Sequence, residues 1–536
     1  MTHPHVSPVA RSSTARSSSI LAAGALTSRI AGWARISILI SVFGASGTLD
    51  PFLAAFRIPD IIFALVAAGS ISTVLVPQLS ALLEKGEGLR AQRLVGSVIV
   101  AMLALLGLFG VVVIIAAKAL SGVLVGGLPV SQRYEAADLS IILYVATIAL
   151  ALSGICSSAA AARSRFGISA ITGLLYSAGT IAGALIGGRA AAGYGPAIGT
   201  AVGALAVLLV TGTVLMRSTL RPARPDFDDP LLRDALRSLL PRVGSVLFVQ
   251  LLLAYLISLA GSSGPGAITI WSYAFTLMQV PLALVTSSIG MAILPKVAAH
   301  AARGDLAGVR KLATLSIGTV IWMMSPIAAL GGLFAFDAVR LVVGGSIDVK
   351  DVAATADLLR LLLLGLVAHG VISVAIRLFY GLRDTLRPTV AEVGGSLVIF
   401  MLATLWFPAF DLTAIAMALP VGTWIQAVVL IGLLVLRSQI VHATTIFKIT
   451  LFAVVASLSS SGLAAIVTAP ILESARQAGT FAGAAVAAIG TIVGLAAYIA
   501  LTVAARRQEA VPLLRMVASP LPPRVRAVIL RGEVSL

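Results

Sequence analysis

The chain has 536 residues, 59% of them hydrophobic and only 11% charged, with a mean hydropathy of +1.05. A soluble domain carries about 25% charged residues, so the composition excludes a soluble enzyme and indicates a polytopic membrane protein. The net charge of +17 does not indicate nucleic acid, because Lys and Arg are scattered between apolar segments rather than gathered on one face.

The lone Cys156 excludes an internal disulfide and any multi-cysteine metal site, and the five histidines show no ligand spacing. Neither a metal nor a cofactor is expected. Residues 1–17, rich in Ser, Arg, Thr and Pro, read as a disordered cytoplasmic leader. Apolar runs near the ~20 residues that cross a bilayer then follow at 18–43, 53–83, 95–117, 137–161, 166–186, 197–216 and 244–260. They continue at 267–295, 312–334, 352–380, 390–407, 412–436, 448–468 and 480–505, about fourteen in all. The second, eighth and tenth are long enough to tilt or kink. With the N-terminus inside, most Lys and Arg fall on inner loops: Lys85, Arg90, Arg93, Arg163, Arg165 and a linker running from Arg217 to Arg242. The loop 261–266, "GSSGPG", falls outside and has no charge. This asymmetry predicts that both termini are cytoplasmic.

The first span, containing "TSRIAGWARISILISVFG" (27–44), carries Arg29 and Arg35. At 1.5 Å per residue Arg29 lies ~16 Å from the inner end and Arg35 ~12 Å from the outer end, too deep to snorkel easily to a headgroup. Charges at such depth face a bundle interior or a water-filled cavity, and neither arginine has an acid within four residues. In the second span Pro59 should kink the helix beside Arg57 and Asp60, which could also pair locally at i,i+3. Asp50 precedes Pro51 and could cap the second helix. Guanidinium pairs with phosphate in bidentate fashion, so Arg29, Arg35 and Arg57 are read as a substrate site for a diphosphate, facing a cavity between two lobes.

Those lobes show as a repeat at a spacing of 218 residues. "VPQLSALLEKGEGLRAQRL" (76–94) aligns without gaps on "LPKVAAHAARGDLAGVRKL" (294–312), placing Pro77 on Pro295 and Gly86 on Gly304, and the same offset puts Arg165 on Arg383. Six spans separate the copies, so the repeat is parallel, the plan of rocking transporters. The expected fold is all-α: a six-helix lobe over 18–216, a cytoplasmic amphipathic linker over 217–243, a second six-helix lobe over 244–436, two additional helices over 437–505, and a basic cytoplasmic tail over 506–536. Within the linker, Leu231, Leu232, Ala235 and Leu239 suggest a helix lying on the inner membrane surface. The tail's arginines would touch anionic lipid headgroups. Under the repeat, Arg29, Arg35, Arg57 and Asp60 map to Leu247, Leu253, Phe275 and Met278, so the frame repeats while its charge does not.

"SRIAGWAR", "FRIPD", "GSISTVLVPQLSALLEKGE" and "FYGLRDTLRPT" together resemble the MurJ/MviN family of bacterial lipid II flippases, within the multidrug/oligosaccharidyl-lipid/polysaccharide exporter superfamily. The resemblance implies a multi-pass protein of the bacterial plasma membrane. It also implies transport of lipid-linked peptidoglycan precursor from the inner to the outer leaflet by alternating access, with membrane lipids and cell-wall synthesis proteins as surroundings and partners. By motif match Arg29 and Arg35 occupy family arginine positions, Arg57 a basic position in helix two, and Asp50 the acid at the outer end of helix one. Asp50, and with it Pro59 and Asp60 at the expected kink, are gate or hinge candidates. The chain departs from the family at Ile36, Phe63, Ala68, Phe275, Thr276 and Gln279, where charged residues are common, so its cavity charge is reduced. Export of another polyprenyl-linked oligosaccharide or an amphiphilic drug, and a transport-dead cell-wall scaffold, are the alternatives. Without a phosphate-binding glycine loop of the P-loop kind, direct ATP drive is not expected. Glu392 and His369 sit alone on separate helices, which argues against an enzyme.

Overall fold

The computed structural model describes residues 31–44, 47–67, 71–163, 168–343, 348–436 and 440–505. Arg29, Arg165, Ala68, the leader and the basic tail lie outside them. Among the described residues there is no strand. Also among the described residues, nine helices are long and apolar enough to cross a membrane, ten if a bent pair counts as one, and three shorter apolar helices accompany them. The chain divides into two compact units, 1–269 and 270–536.

The first unit holds α1 (Ala31–Phe43), α2 (Asp50–Ala55), α3 (Arg57–Ala67), α4 (Ile71–Glu84), α5 (Gly88–Leu124), α6 (Val130–Ala161), α7 (Ile168–Gly187), α8 (Tyr194–Met216) and α9 (Pro230–Ser262). The expected second span is therefore three helices. The first break, at Phe56, is explained by Pro59: its ring displaces the carbonyl four residues back, that of Ala55, and brings no N–H to replace the lost bond. The hydroxyl of Ser140 on α6 donates to that carbonyl at 2.9 Å, so the freed acceptor becomes a docking point.

α7 and α8 meet through glycines. Gly179, Gly183 and Gly187 face Gly195, Gly199 and Gly203, and a methyl built on Gly199 would stand 2.8 Å from the Cα of Gly183. Backbones this close exchange dispersion contacts that no larger residue permits, the small-xxx-small mode of membrane helices. The hydroxyls of Thr180 and Thr200 share a 2.8 Å hydrogen bond across the same seam.

The linker differs from expectation. Its helix does not stop before the seventh span; α9 runs from Pro230 to Ser262 as one rod. Its start is fixed by Asp229, which caps Leu231 N–H ahead of Pro230 at the first helical position. Asp229 is also gripped by Arg90, Nε to Oδ2 at 2.8 Å and Nη2 to Oδ1 at 3.1 Å, and this guanidinium holds its carboxyl below the usual range. Ser97 accepts from Asp226 N–H at 2.7 Å, and Gln92 donates to Thr219 carbonyl at 2.9 Å. The linker is thus held by the start of α5 through side chains, not by membrane amphipathicity alone.

The second unit takes α10 (Ala267–Ala302) after its first turn. It continues with α11 (Leu306–Leu333), α12 (Ala335–Val343), α13 (Val349–Leu363), α14 (Leu366–Gly381), α15 (Leu386–Phe410), α16 (Leu412–Leu436), α17 (Ala443–Ala478) and α18 (Thr480–Ala504). α13 and α14 form the tenth expected span, bent by 45° at their junction. The α17–α18 hairpin is fixed to α11 by polar contacts inside an apolar interface. Trp322 Nε1 donates to Thr502 Oγ1 at 3.0 Å, and Tyr498 donates to Trp322 carbonyl at 2.9 Å.

The aligned turns of the repeat share one hydrogen-bond pattern. Glu87 N–H donates to Leu82 carbonyl at 2.9 Å and Gly86 N–H to Leu83 at 3.1 Å; Asp305 N–H donates to His300 at 3.0 Å and Gly304 N–H to Ala301 at 3.1 Å. Gly86 (φ +76°) and Gly304 (φ +71°) occupy the left-handed position that this helix ending requires.

Candidate functional site

Arg35 projects from α1, a helix of otherwise apolar or small residues apart from Ser37 and Ser41. Its guanidinium lies 5.2 Å from the ring centroid of Tyr176 on α7. Tyr176 packs on the buried cluster of Ala146, Ala149 and Ala204. Arg35 has no carboxylate within ion-pair distance among the described residues. A cation over an aromatic face is attracted by the ring quadrupole, more so away from water, and this contact leaves the guanidinium N–H donors unspent on any acid among the described residues.

On α3, Arg57 Nη2 bonds Asp60 Oδ2 at 2.7 Å. The local pair anticipated from the i,i+3 spacing is present, with Arg57 mostly buried and Asp60 40% exposed. Arg57 Nε is buried with no hydrogen-bond partner among the described residues, so one donor stays open. Both Arg35 and Asp60 act electrostatically on the Tyr176 hydroxyl, which brings α1, α3 and α7 to one locality. The structure thus sets Arg35 over Tyr176 and Asp60 within electrostatic reach of it, with Arg57 paired to Asp60; Arg29, on the same expected span as Arg35, lies outside the described residues. Sequence reasoning missed Tyr176. The one available signal was a tyrosine inside the small-residue run "GLLYSAGT". Pro59, buried, acts through the break at Phe56 described above.

Asp50 is fully buried and its role differs from the cap expected. The residue before it, Leu49, occupies the cap position of α2 without a side-chain bond. The Asp50 carboxylate turns to the first turn of α10 instead: Oδ2 accepts from Gly266 N–H at 2.7 Å, and Oδ1 from Thr269 N–H at 2.9 Å and Thr269 Oγ1 at 2.6 Å. It caps a helix other than its own, where the orphan donors and the positive end of the helix dipole favour an anion. Asp50→Ala would leave three buried donors unmet, at about 1–3 kcal/mol each. Thermal unfolding of the purified protein should therefore show a clear loss of stability, with Asp50→Asn intermediate because one oxygen still accepts. Equal melting of Asp50→Ala and the natural chain would remove this role.

At the departures from the family pattern the second unit has no charge to contribute. Phe275 stacks on Trp271 with centroids 5.6 Å apart, and Thr276 bonds back to Ser272 carbonyl at 2.7 Å. Phe63 is 38% exposed and Gln279 exposed. Among the described residues no group of His, Cys, Asp and Glu could hold a metal ion. One further arginine, Arg377 on α14, was not singled out in the sequence. Its Nη1 bonds Ser373 Oγ at 2.5 Å, and its guanidinium covers Gly290 of α10.

The comparisons agree with this architecture. A family model described as lipid II flippase MurJ matches residues 39–477. The probable lipid II flippase MurJ of Bdellovibrio bacteriovorus is 26% identical over 438 residues, 79% of this chain and 82% of that protein. The lipid II flippase MurJ of Burkholderia cenocepacia is 24% identical over 422 residues, 76% of this chain and 80% of that protein. A solved structure of lipid II flippase MurJ in an inward closed conformation superposes with a TM-score of 0.71 at 16% identity, covering 94% of this chain and 99% of that one. An inward-facing multidrug-resistance MATE transporter of the MOP superfamily gives 0.65 at 16% identity, covering 78% and 96%. The structural likeness speaks for the fold, and the family model spans most of the chain: this multi-pass membrane protein belongs to the MurJ family of transporters.

Proposed function

We propose that the chain moves lipid II, an undecaprenyl-diphosphate-linked peptidoglycan precursor, from the inner to the outer leaflet by alternating access. The observation that carries this reading is Arg35: a permanently charged guanidinium on an apolar helix, over the Tyr176 ring and with no carboxylate partner among the described residues, in a member of this family. Arg29, Arg35 and Arg57 hold the diphosphate, because paired guanidinium forks match its oxygens and keep their charge at any pH. Asp60 neutralises Arg57 between substrates, and Asp50 and the Pro59 break serve as hinge elements at the end of the helix pair. Both termini are cytoplasmic. Cysteines placed at Ser263 and Lys85 should label from outside and inside respectively; the reverse pattern overturns the orientation.

The reduced charge at Ile36, Phe63, Phe275 and Thr276 favours one second reading, transport of a different polyprenyl-diphosphate glycolipid. Depletion of the protein followed by a leaflet-accessibility assay for lipid II separates the readings. Lipid II should accumulate in the inner leaflet within a generation. Continued outward movement would exclude lipid II as the cargo.

A further inference from the structure

The second unit carries a basic pocket that the transport reading does not use. It has a volume of about 350 Å³ and is lined by Phe336 and Arg340 of α12, Val349 and Arg360 of α13, and Glu473 and Arg476 near the end of α17. Three of its lining side chains are guanidiniums and one is a carboxylate, Glu473, which is 73% exposed and 3.7 Å from Arg476 on the same helix.

Each arginine is positioned by the protein while keeping donors in hand. Arg476 is clamped from behind by the buried Asp337, Nε to Oδ1 at 2.9 Å and Nη2 to Oδ2 at 2.7 Å, and its plane rests 5.2 Å from the centroid of Phe336. Gly483 of α18 lies against this pair, where a Cβ would meet Arg476 Cγ at 3.2 Å. Arg340 spends one N–H on the Arg476 carbonyl at 2.9 Å and has no carboxylate partner among the described residues. Arg360 donates to Gly332 carbonyl at 3.2 Å and pairs with the largely exposed Asp357. Guanidinium forks prepaid in this way, with net positive charge toward a cavity, match phosphate oxygens.

The surroundings indicate where the phosphate comes from. Val349 is 60% exposed, and at the same end of the α17–α18 hairpin Ile471 and Phe481 are 51% and 83% exposed. Most of the apolar stretches of α17 and α18 are likewise not covered by protein. Charged heads next to uncovered apolar side chains at the end of a membrane helix suit a lipid, phosphate in the pocket and acyl chains along the hairpin. We propose that Arg340, Arg360 and Arg476 form a binding pocket for the phosphate of an anionic lipid headgroup, which fastens the α17–α18 hairpin to α12 and α13. Both membrane interfaces supply such headgroups, so the inference does not rest on orientation or on the cargo.

The test uses the full-length chain in detergent, probed by native mass spectrometry and thermal unfolding with phosphatidylglycerol, phosphatidylcholine or inorganic phosphate. Phosphatidylglycerol should stay bound and raise the melting temperature, and phosphatidylcholine should not. Arg340→Gln and Arg360→Gln should each weaken phosphatidylglycerol roughly tenfold, the effect of one charge-assisted hydrogen bond. Arg217→Gln, an exposed arginine of the first unit, should bind as the natural chain does. Stabilisation by inorganic phosphate alone, lost in the same two variants, would overturn the lipid assignment and leave a site for a soluble anion. Arg360 is 43% exposed, so its replacement leaves folding intact. Unchanged lipid binding in both variants, or no preference for phosphatidylglycerol, would overturn the proposal.

Discussion

Arg35→Ala is expected to abolish lipid II transport while leaving a folded, membrane-inserted protein. Arg35 makes no ion pair among the described residues, and its one described anchor is the Tyr176 ring. Removing it deletes a charge that costs several kcal/mol to hold inside a membrane and leaves no buried carboxylate behind. Stability should therefore stay level or rise. Transport should fail because the diphosphate loses a preorganised fork. Arg35→Lys separates charge from geometry: it keeps the charge but neither pairs in bidentate fashion nor stacks flat, and should lower transport at least about tenfold. At the ring, Tyr176→Leu removes the cation–π contact, worth ~0.5–2 kcal/mol, and should cost roughly 2- to 30-fold. Tyr176→Phe keeps the face and should cost less. The measurement is outward lipid II movement in cells depleted of the natural protein, alongside the amount of folded variant. Full transport by Arg35→Ala would sink the site.

Gly199→Leu is expected to have the largest effect on folding of any single change described. A side chain there runs into the α7 backbone, with Gly183 Cα 2.8 Å from the first added carbon. Rotamer changes cannot relieve a clash with backbone, so α7 and α8 must separate. That separation would also forfeit the Thr180–Thr200 bond and shift the Tyr176 ring under Arg35. Ordinary overpacking costs ~1–3 kcal/mol, and a backbone collision along a whole helix seam should exceed that. Gly199→Leu should give little folded protein by fluorescence-detected size exclusion, with Gly199→Ala intermediate. Gly107→Ala is the control: nothing lies within 4 Å of its added methyl, and alanine gains ~0.5–1 kcal/mol over glycine inside a helix. It should be neutral or slightly stabilising. A Gly199→Leu protein as stable as Gly107→Ala would show that the seam is not close-packed.

Much of this was legible in the residues themselves because the bilayer is a demanding solvent. Apolar runs, the Pro–basic–Gly–acid turn at 77–87 and 295–305, and an arginine deep in a greasy helix are local facts about hydration and backbone geometry, and they carry the fold class, the repeated turn and the candidate cation Arg35. The pairing of Arg57 with Asp60 follows from helical spacing alone. The six glycines of α7 and α8 also stand in the sequence at four-residue intervals, but a glycine stripe states only that there is room for a close approach, not what fills it. Only the tertiary structure decided that the two stripes face each other and that Tyr176 lies under Arg35. It also decided that the Asp50 carboxylate serves α10 rather than α2, and that Arg90 and Ser97 hold the linker just ahead of α9. These are pairings between residues far apart along the chain. Local propensity cannot choose among them, because each donor or ring has several chemically adequate partners and packing selects one.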